Sequence, residues 1–185
     1  MVKRMAFELN ISRCSGCFAC IVACQDQNDA FGNDVAFRQV VTQEQENPSG
    51  TTLSFFSIAC LHCGDAPCLM VCPTGAIYQN DTIGSIEVNR ERCIGCHSCL
   101  SVCPFGAPHF AADGKMVKCD MCSARQAHGL EPACVRTCPT KALQVIPLED
   151  LSKKKAEASS RQVLQLETRN SPSALKGLGA SYQKG

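Results

Sequence analysis

Residues 93–104 read Cys93-Ile94-Gly95-Cys96-His97-Ser98-Cys99-Leu100-Ser101-Val102-Cys103-Pro104. Four cysteines spaced C-x2-C-x2-C-x3-C and closed by a proline form one group. Working outward, Cys14, Cys17, Cys20 and Cys24 repeat that spacing. Cys60, Cys63, Cys68 and Cys72 open the middle gap to four residues, and Cys119, Cys122, Cys134 and Cys138 open it to eleven. The four groups use all 16 cysteines of the 185-residue chain, and none is left over.

Three chemistries compete for such cysteines. A disulfide scaffold needs many bridges between cysteines three residues apart, and the basic start Met1-Val2-Lys3-Arg4 leads into no apolar h-region that would export the chain. Structural zinc needs two C-x2-C pairs per tetrahedral site and does not require the regular third and fourth positions seen here. The run C-x2-C-x2-C-x3-C-P is the bacterial ferredoxin signature, in which the fourth cysteine serves the other cluster. Sixteen ligands, four to a cluster, predict four [4Fe–4S] clusters. Three cysteines at three-residue intervals let one loop wrap three corners of a cubane, and the fourth leads away toward a neighbour. Small residues in the loops (Ser15-Gly16, Gly64, Gly95) let the backbone come close and aim N–H groups at sulfur. Pro73, Pro104 and Pro139 turn the chain out of the site, and Gln25 replaces that proline after Cys24.

Composition agrees with a fold held by something besides apolar burial. Hydrophobic residues are 45% of the chain, but that figure counts the cysteines, and there are two Tyr and no Trp. Without the cysteines the apolar share falls well under the usual figure of about 45–50%. A net charge of +1 argues against a polycationic nucleic-acid binder. No apolar run is long enough to span a membrane. The expected location is the cytoplasm, or a membrane reached through a partner.

Groups two and three read as one module. Cys72 leads into Thr74-Gly75-Ala76-Ile77, then a hairpin through Asp81-Thr82-Ile83-Gly84 into Ser85-Ile86-Glu87-Val88, then Cys93. Groups one and four are left to pair around it. The segments Cys60–Ala76, Cys93–Cys99 with Cys103-Pro104-Phe105-Gly106-Ala107-Pro108, and Lys118-Cys119-Asp120-Met121-Cys122 with Pro132-Ala133-Cys134 and Cys138-Pro139-Thr140 together resemble the iron–sulfur subunits of the DMSO reductase family. The resemblance covers about residues 5–146.

It implies nested ligation. One cluster would take Cys14, Cys17, Cys20 and Cys138, and a second Cys24, Cys119, Cys122 and Cys134. A third would take Cys60, Cys63, Cys68 and Cys103, and a fourth Cys72, Cys93, Cys96 and Cys99. It also implies a partner, a catalytic subunit with a molybdenum or tungsten pterin cofactor, and a membrane anchor or another carrier at the far end of the wire. The alternative is a freestanding or self-assembling polyferredoxin serving several oxidoreductases. A non-redox zinc-binding interaction module is the remaining reading.

The expected fold is α+β, with two nested ferredoxin-like modules. The outer one comprises 5–30 plus 115–146 and the inner one 58–110. A hairpin insertion spans 31–57, with strands over 35–43 and 52–58 and a turn at Asn47-Pro48-Ser49-Gly50. Phe18, Ile21, Ile94, Leu100 and Val102 are expected to shield the clusters. His62 and His97 lie inside cysteine loops, but a full cysteine set leaves them no ligand role; His109 and His128 are expected in loops or at the surface. No catalytic acid, nucleophile, P-loop or dinucleotide fingerprint is present, so no substrate site is expected. The extension 151–185 carries seven basic and two acidic residues, against 11 and 15 in residues 1–150. It reads either as a solvated, partly disordered tail or as a basic segment that folds onto the acidic body or a partner.

Overall fold

The computed structural model describes residues 3–30, 36–48 and 50–169. The chain divides into a body, Met1–Pro147, and a second unit, Leu148–Gly185.

Along the body run β1 (Met5–Leu9), α1 (Ala19–Gln27), β2 (Arg38–Asn47), β3 (Gly50–Ala59), α2 (Pro67–Met70), β4 (Ile77–Gln79), β5 (Ile86–Val88), α3 (Ser98–Ser101), β6 (His109–Phe110), β7 (Met116–Val117), α4 (Ser123–Ala127), α5 (Ala133–Arg136) and β8 (Leu143–Pro147). The mixture of short helices and strands is the expected α+β class. Each described sheet has two antiparallel strands: β1 with β8, β2 with β3, β4 with β5, and β6 with β7. The first and last strands of the body thus close on each other, Met5 opposite Pro147 and Leu9 opposite Leu143. Helix α1 packs on α5, and α2 packs on α3.

The elements are short because cysteine loops interrupt them, and the apolar core is correspondingly divided. One cluster gathers Ala66, Ile77, Ile86, Cys99 and Met116; a second Ala59, Cys60 and Cys119; a third Cys134, Val135 and Leu143. Every one of these includes a cysteine, so the thiol positions and the core are the same place.

The β4–β5 hairpin forms where its turn residues predict it. The Asn80 side-chain oxygen accepts the Thr82 N–H at 2.8 Å, and Gly84 takes a left-handed φ of 69°. The β2–β3 hairpin departs from expectation. It runs to Asn47 and restarts at Gly50, well past the predicted strand end at 43, and residues 31–35 and Ser49 lie outside the described residues. From Gln43 to Thr52 the described hairpin residues are exposed. Cross-strand hydrogen bonds carry that stretch, so no alternation of apolar side chains marks it in the sequence.

In the second unit, Leu148–Arg169 forms one helix, α6. The predicted solvated tail is therefore ordered over this span, and residues 170–185 lie outside the described residues. Ala, Glu, Lys, Gln and Leu dominate its sequence, with no Gly or Pro, and Glu149 and Asp150 favour its N-terminal end. Among the described residues no helix is long and apolar enough to cross a membrane.

Candidate metal centres

The loops of groups one and three have the same backbone. Gly16 and Gly95 follow the second residue of each motif with φ of 65° and 67°. Phe18 and His97, just after the second cysteine, sit at φ 62° and 63° and start the helices that carry the third cysteine. A side chain cannot replace hydrogen at either glycine: a Cβ would lie 2.5 Å from the Phe55 ring at Gly16 and 2.5 Å from the Gly114 carbonyl oxygen at Gly95. Groups two and four share a different start, Pro67 or Pro132 opening the turn before Cys68 or Cys134.

The structure brings cysteines from separate groups together. One cavity is lined by Cys60, Cys63 and Cys68 with Cys103, and a second by Cys93, Cys96 and Cys99 with Cys72. A third is lined by Cys14, Cys17 and Cys20 with Cys138. Their volumes, open mouths included, are alike at about 400, 340 and 350 Å³. The remaining four converge as well: burial and then the nearness of Cys134 push the Cys24 thiol up to about 12, with Cys122 adding to the effect. Burial also drives Cys119 and Cys122 up, and Cys134 raises both. All sixteen sulfurs are free of disulfide bonds.

The turns after Cys72 and Cys138 are built as cradles for anionic sulfur. Burial raises both thiols, but N–H groups at matching positions outweigh it: Ile77, Thr74 and Ala76 for Cys72, and Leu143, Thr140 and Ala142 for Cys138. Each hydroxyl of Thr74 and Thr140 also stands 3.7 Å from its sulfur. Both thiols end below their ordinary range. Elsewhere the Met116 N–H donates to Cys93 Sγ at 3.3 Å and the Met121 N–H to Cys119 Sγ at 3.3 Å. A glycine-lined loop, four sulfurs about one cavity and N–H groups already aimed at them fit a cluster held by thiolates.

The four quartets are neighbours in a row. Cys20, of the Cys14 set, senses Cys134, of the Cys24 set. Cys119, also of the Cys24 set, packs with Cys60, and Cys99, of the Cys72 set, senses Cys68, of the Cys60 set. Cys17 and Cys96, the two exposed cysteines, belong to the quartets at opposite ends of that row. Between the ends, Cys24, Cys60, Cys119 and Cys134 are buried and Cys63, Cys68, Cys103 and Cys122 half-buried; the fifth buried cysteine, Cys99, is in an end quartet.

The shielding side chains are partly other than expected. Phe18 and Ile94 line end cavities but remain 48% and 67% exposed, and Leu100 and Val102 lie at the surface. Ile86, Met116, Ala76 and Leu143 are the buried walls instead. Phe18 caps α1 and Ile94 stands in the loop ahead of α3, while the buried position of each of these two helices is taken by a cysteine, Cys24 and Cys99.

Three buried polar side chains lie among the sulfurs, and of these Arg38 falls outside every cysteine motif. Arg38, 2% exposed, donates to the Ser57 carbonyl and hydroxyl and lies 4.6 Å over the Phe7 ring. Lys118 lines the Cys60 cavity and donates to the carbonyl oxygens of Ile86 and Cys119. His62 accepts the Ile86 N–H on Nδ1 at 2.9 Å, and its Nε2 is buried with no hydrogen-bond partner among the described residues. Burial, reinforced by the Lys118 charge, lowers it to about 3, so the ring is neutral. His97 stacks on Phe110 with ring centroids 3.7 Å apart. His109 lies in β6, not a loop, and His128 is exposed.

Comparison with known proteins places these features in a family. A 4Fe-4S dicluster domain family matches residues 51–147, and another of the same description matches residues 13–76. An anaerobic dimethyl sulfoxide reductase subunit of Escherichia coli (strain K12) is 36% identical over 169 residues, 86% of this chain and 82% of that protein. Its counterpart in Haemophilus influenzae is 38% identical over 163 residues, 83% of this chain and 78% of that protein. The thiosulfate reductase electron transfer subunit PhsB of Salmonella typhi is 41% identical over 141 residues, 75% of this chain and 73% of that protein. These relatives are electron-transfer subunits of reductases and not their catalytic subunits. Two dicluster domains and 16 cysteines fit four [4Fe–4S] clusters. The chain belongs to the iron–sulfur electron-transfer subunits of the DMSO reductase family.

Proposed function

We propose that this chain relays single electrons along a row of four clusters to or from a catalytic subunit holding a molybdenum or tungsten pterin. Each [4Fe–4S] cluster, when bound, takes up and gives back one electron. The chain's own residues bind, space and insulate. In this reading Cys14, Cys17, Cys20 and Cys138 hold the first cluster; Cys24, Cys119, Cys122 and Cys134 the second. Cys60, Cys63, Cys68 and Cys103 hold the third, and Cys72, Cys93, Cys96 and Cys99 the fourth. Support comes from the cavities lined by three cysteines of one group and one of another.

The nested organisation follows: an outer module of 5–30 plus 115–146, an inner module of 58–110, a hairpin insertion of 31–57 and the basic extension 151–185. The packing of α1 on α5, α2 on α3 and β1 on β8 supports it. The chain works in the cytoplasm or at a membrane through a partner such as an anchor subunit.

The single observation that carries the relay is that both exposed cysteines fall in the two end quartets, while four of the five buried ones lie in the two quartets between. A wire needs a contact point at each end and insulation between; a freely diffusing shuttle needs one cluster near one face. The test is anaerobic mixing of the dithionite-reduced chain with such a catalytic subunit and an oxidising substrate. Reoxidation on substrate addition, at one chain per catalytic subunit, is expected. A chain that stays monomeric in the mixture and reduces several unrelated oxidoreductases equally well would favour the polyferredoxin reading.

A further inference from the structure

Arg38 stands at the base of the β2–β3 hairpin, opposite Ala59, and the pairing register plants it in the core beside the first two quartets. A guanidinium there has no carboxylate partner among the described residues. Its Nη1 donates to the Ser57 hydroxyl at 3.1 Å and to the Ser57 carbonyl at 3.4 Å, and Nη2 is buried with no hydrogen-bond partner among the described residues. The Ser57 hydroxyl in turn lies 3.3 Å from Cys20 Sγ. Guanidinium can only donate, so Ser57 Oγ accepts from Arg38, and with Cys20 as a cluster-bound thiolate, which can only accept, the Ser57 proton goes to the sulfur. The link therefore has a fixed polarity: N–H to oxygen, then O–H to Cys20. Cys24 and Cys119 of the second quartet sense the same charge.

Resting on the ligand sets proposed above, we infer that Arg38 is a positioning residue that raises the reduction potential of the cluster held by Cys14, Cys17, Cys20 and Cys138, acting through the Ser57 hydroxyl on the Cys20 sulfur. Reduction adds one electron and no proton, taking a cluster with its four thiolates from about −2 to about −3. A buried cation and a hydrogen bond to sulfur both stabilise the more negative form. Buried charge is costly to keep, and a potential set above that of a bare thiolate site is what it supplies. The insertion hairpin then has a role in the wire, since its base delivers both Arg38 and Ser57.

The test is an anaerobic redox titration followed by electron paramagnetic resonance on the full chain, with iron and sulfide content measured on the same samples. The signal lost in Cys138→Ala identifies the cluster. With cluster content unchanged, Arg38→Gln and Ser57→Ala are each expected to weaken reduction of that cluster about tenfold, which is about 59 mV for one electron. Arg38→Lys, which keeps the charge, is expected to retain the larger part of the potential. An unmoved potential in Ser57→Ala overturns the inference, as does a shift in Arg38→Lys as large as in Arg38→Gln. Should Arg38→Gln fail to load its clusters, Ser57→Ala decides alone, because it removes only the hydroxyl and leaves the guanidinium its carbonyl anchor. Low iron and sulfide in the unaltered chain would instead fault the ligand sets themselves.

Discussion

Cys103→Ala will destroy the cluster of Cys60, Cys63 and Cys68, and will spare the cluster of Cys93, Cys96 and Cys99 beside which Cys103 stands in the sequence. The reason is spatial. Cys103 leaves its own loop at the end of α3 and lines the cavity of group two, while Cys72 does the reverse and lines the cavity of group three. Removing one of four thiolates leaves a cluster open to solvent and prone to lose iron, so iron is expected to fall from about 16 per chain toward about 12. Cys72→Ala gives the reciprocal loss. Metal analysis with electron paramagnetic resonance of the two variants checks this. A Cys103→Ala chain that loses the Cys93 cluster and keeps the Cys60 cluster would mean that each group binds its own cluster, and the nested ligation would be wrong.

Stripping the iron is the second large effect. All three apolar clusters among the described residues contain cysteine, and in one of them two of the three buried residues are cysteines. Such a core is small for the backbone entropy it must offset. A domain of this size has a net stability of about 5–15 kcal/mol. A single structural zinc contributes about 10–16 kcal/mol to a zinc-finger peptide, which is as large as that whole margin. Losing four clusters that tie this core together through sixteen cysteines is expected to exceed it. Anaerobic chelation under reducing conditions is therefore expected to abolish the cooperative thermal transition and collapse the dispersion of the amide resonances. An iron-free chain that keeps a native-like spectrum and a sharp transition would show that the protein carries its own fold without the clusters.

What can be read in the sequence follows from how strictly each feature constrains residue type. Ligation demands cysteine at fixed intervals, so the four groups and the inner hairpin at Asp81–Gly84 are legible from spacing and turn chemistry. Which cysteines of distant groups meet is legible only through resemblance, because Cys20 and Cys138, 118 positions apart by their numbers, come together through the β1–β8 pairing. The outer half of the β2–β3 hairpin is not legible, since its pairing rests on backbone hydrogen bonds between exposed polar residues. Arg38 is invisible for a related reason: a basic residue at a strand start reads as surface, and only the register opposite Ala59 turns it inward. Helix α6 reads as a tail when charge is weighed above propensity, although no Gly or Pro interrupts Leu148–Arg169. Phe18 and Ile94 illustrate the opposite error, where apolar character suggests full burial although both stand in cysteine loops ahead of their helices.

The most direct measurement is iron and acid-labile sulfide per chain on protein purified without oxygen. Four cubanes require about 16 of each, with the brown absorbance of iron–sulfur charge transfer. A colourless protein with zinc and no sulfide would contradict the electron relay and leave a structural zinc module in its place.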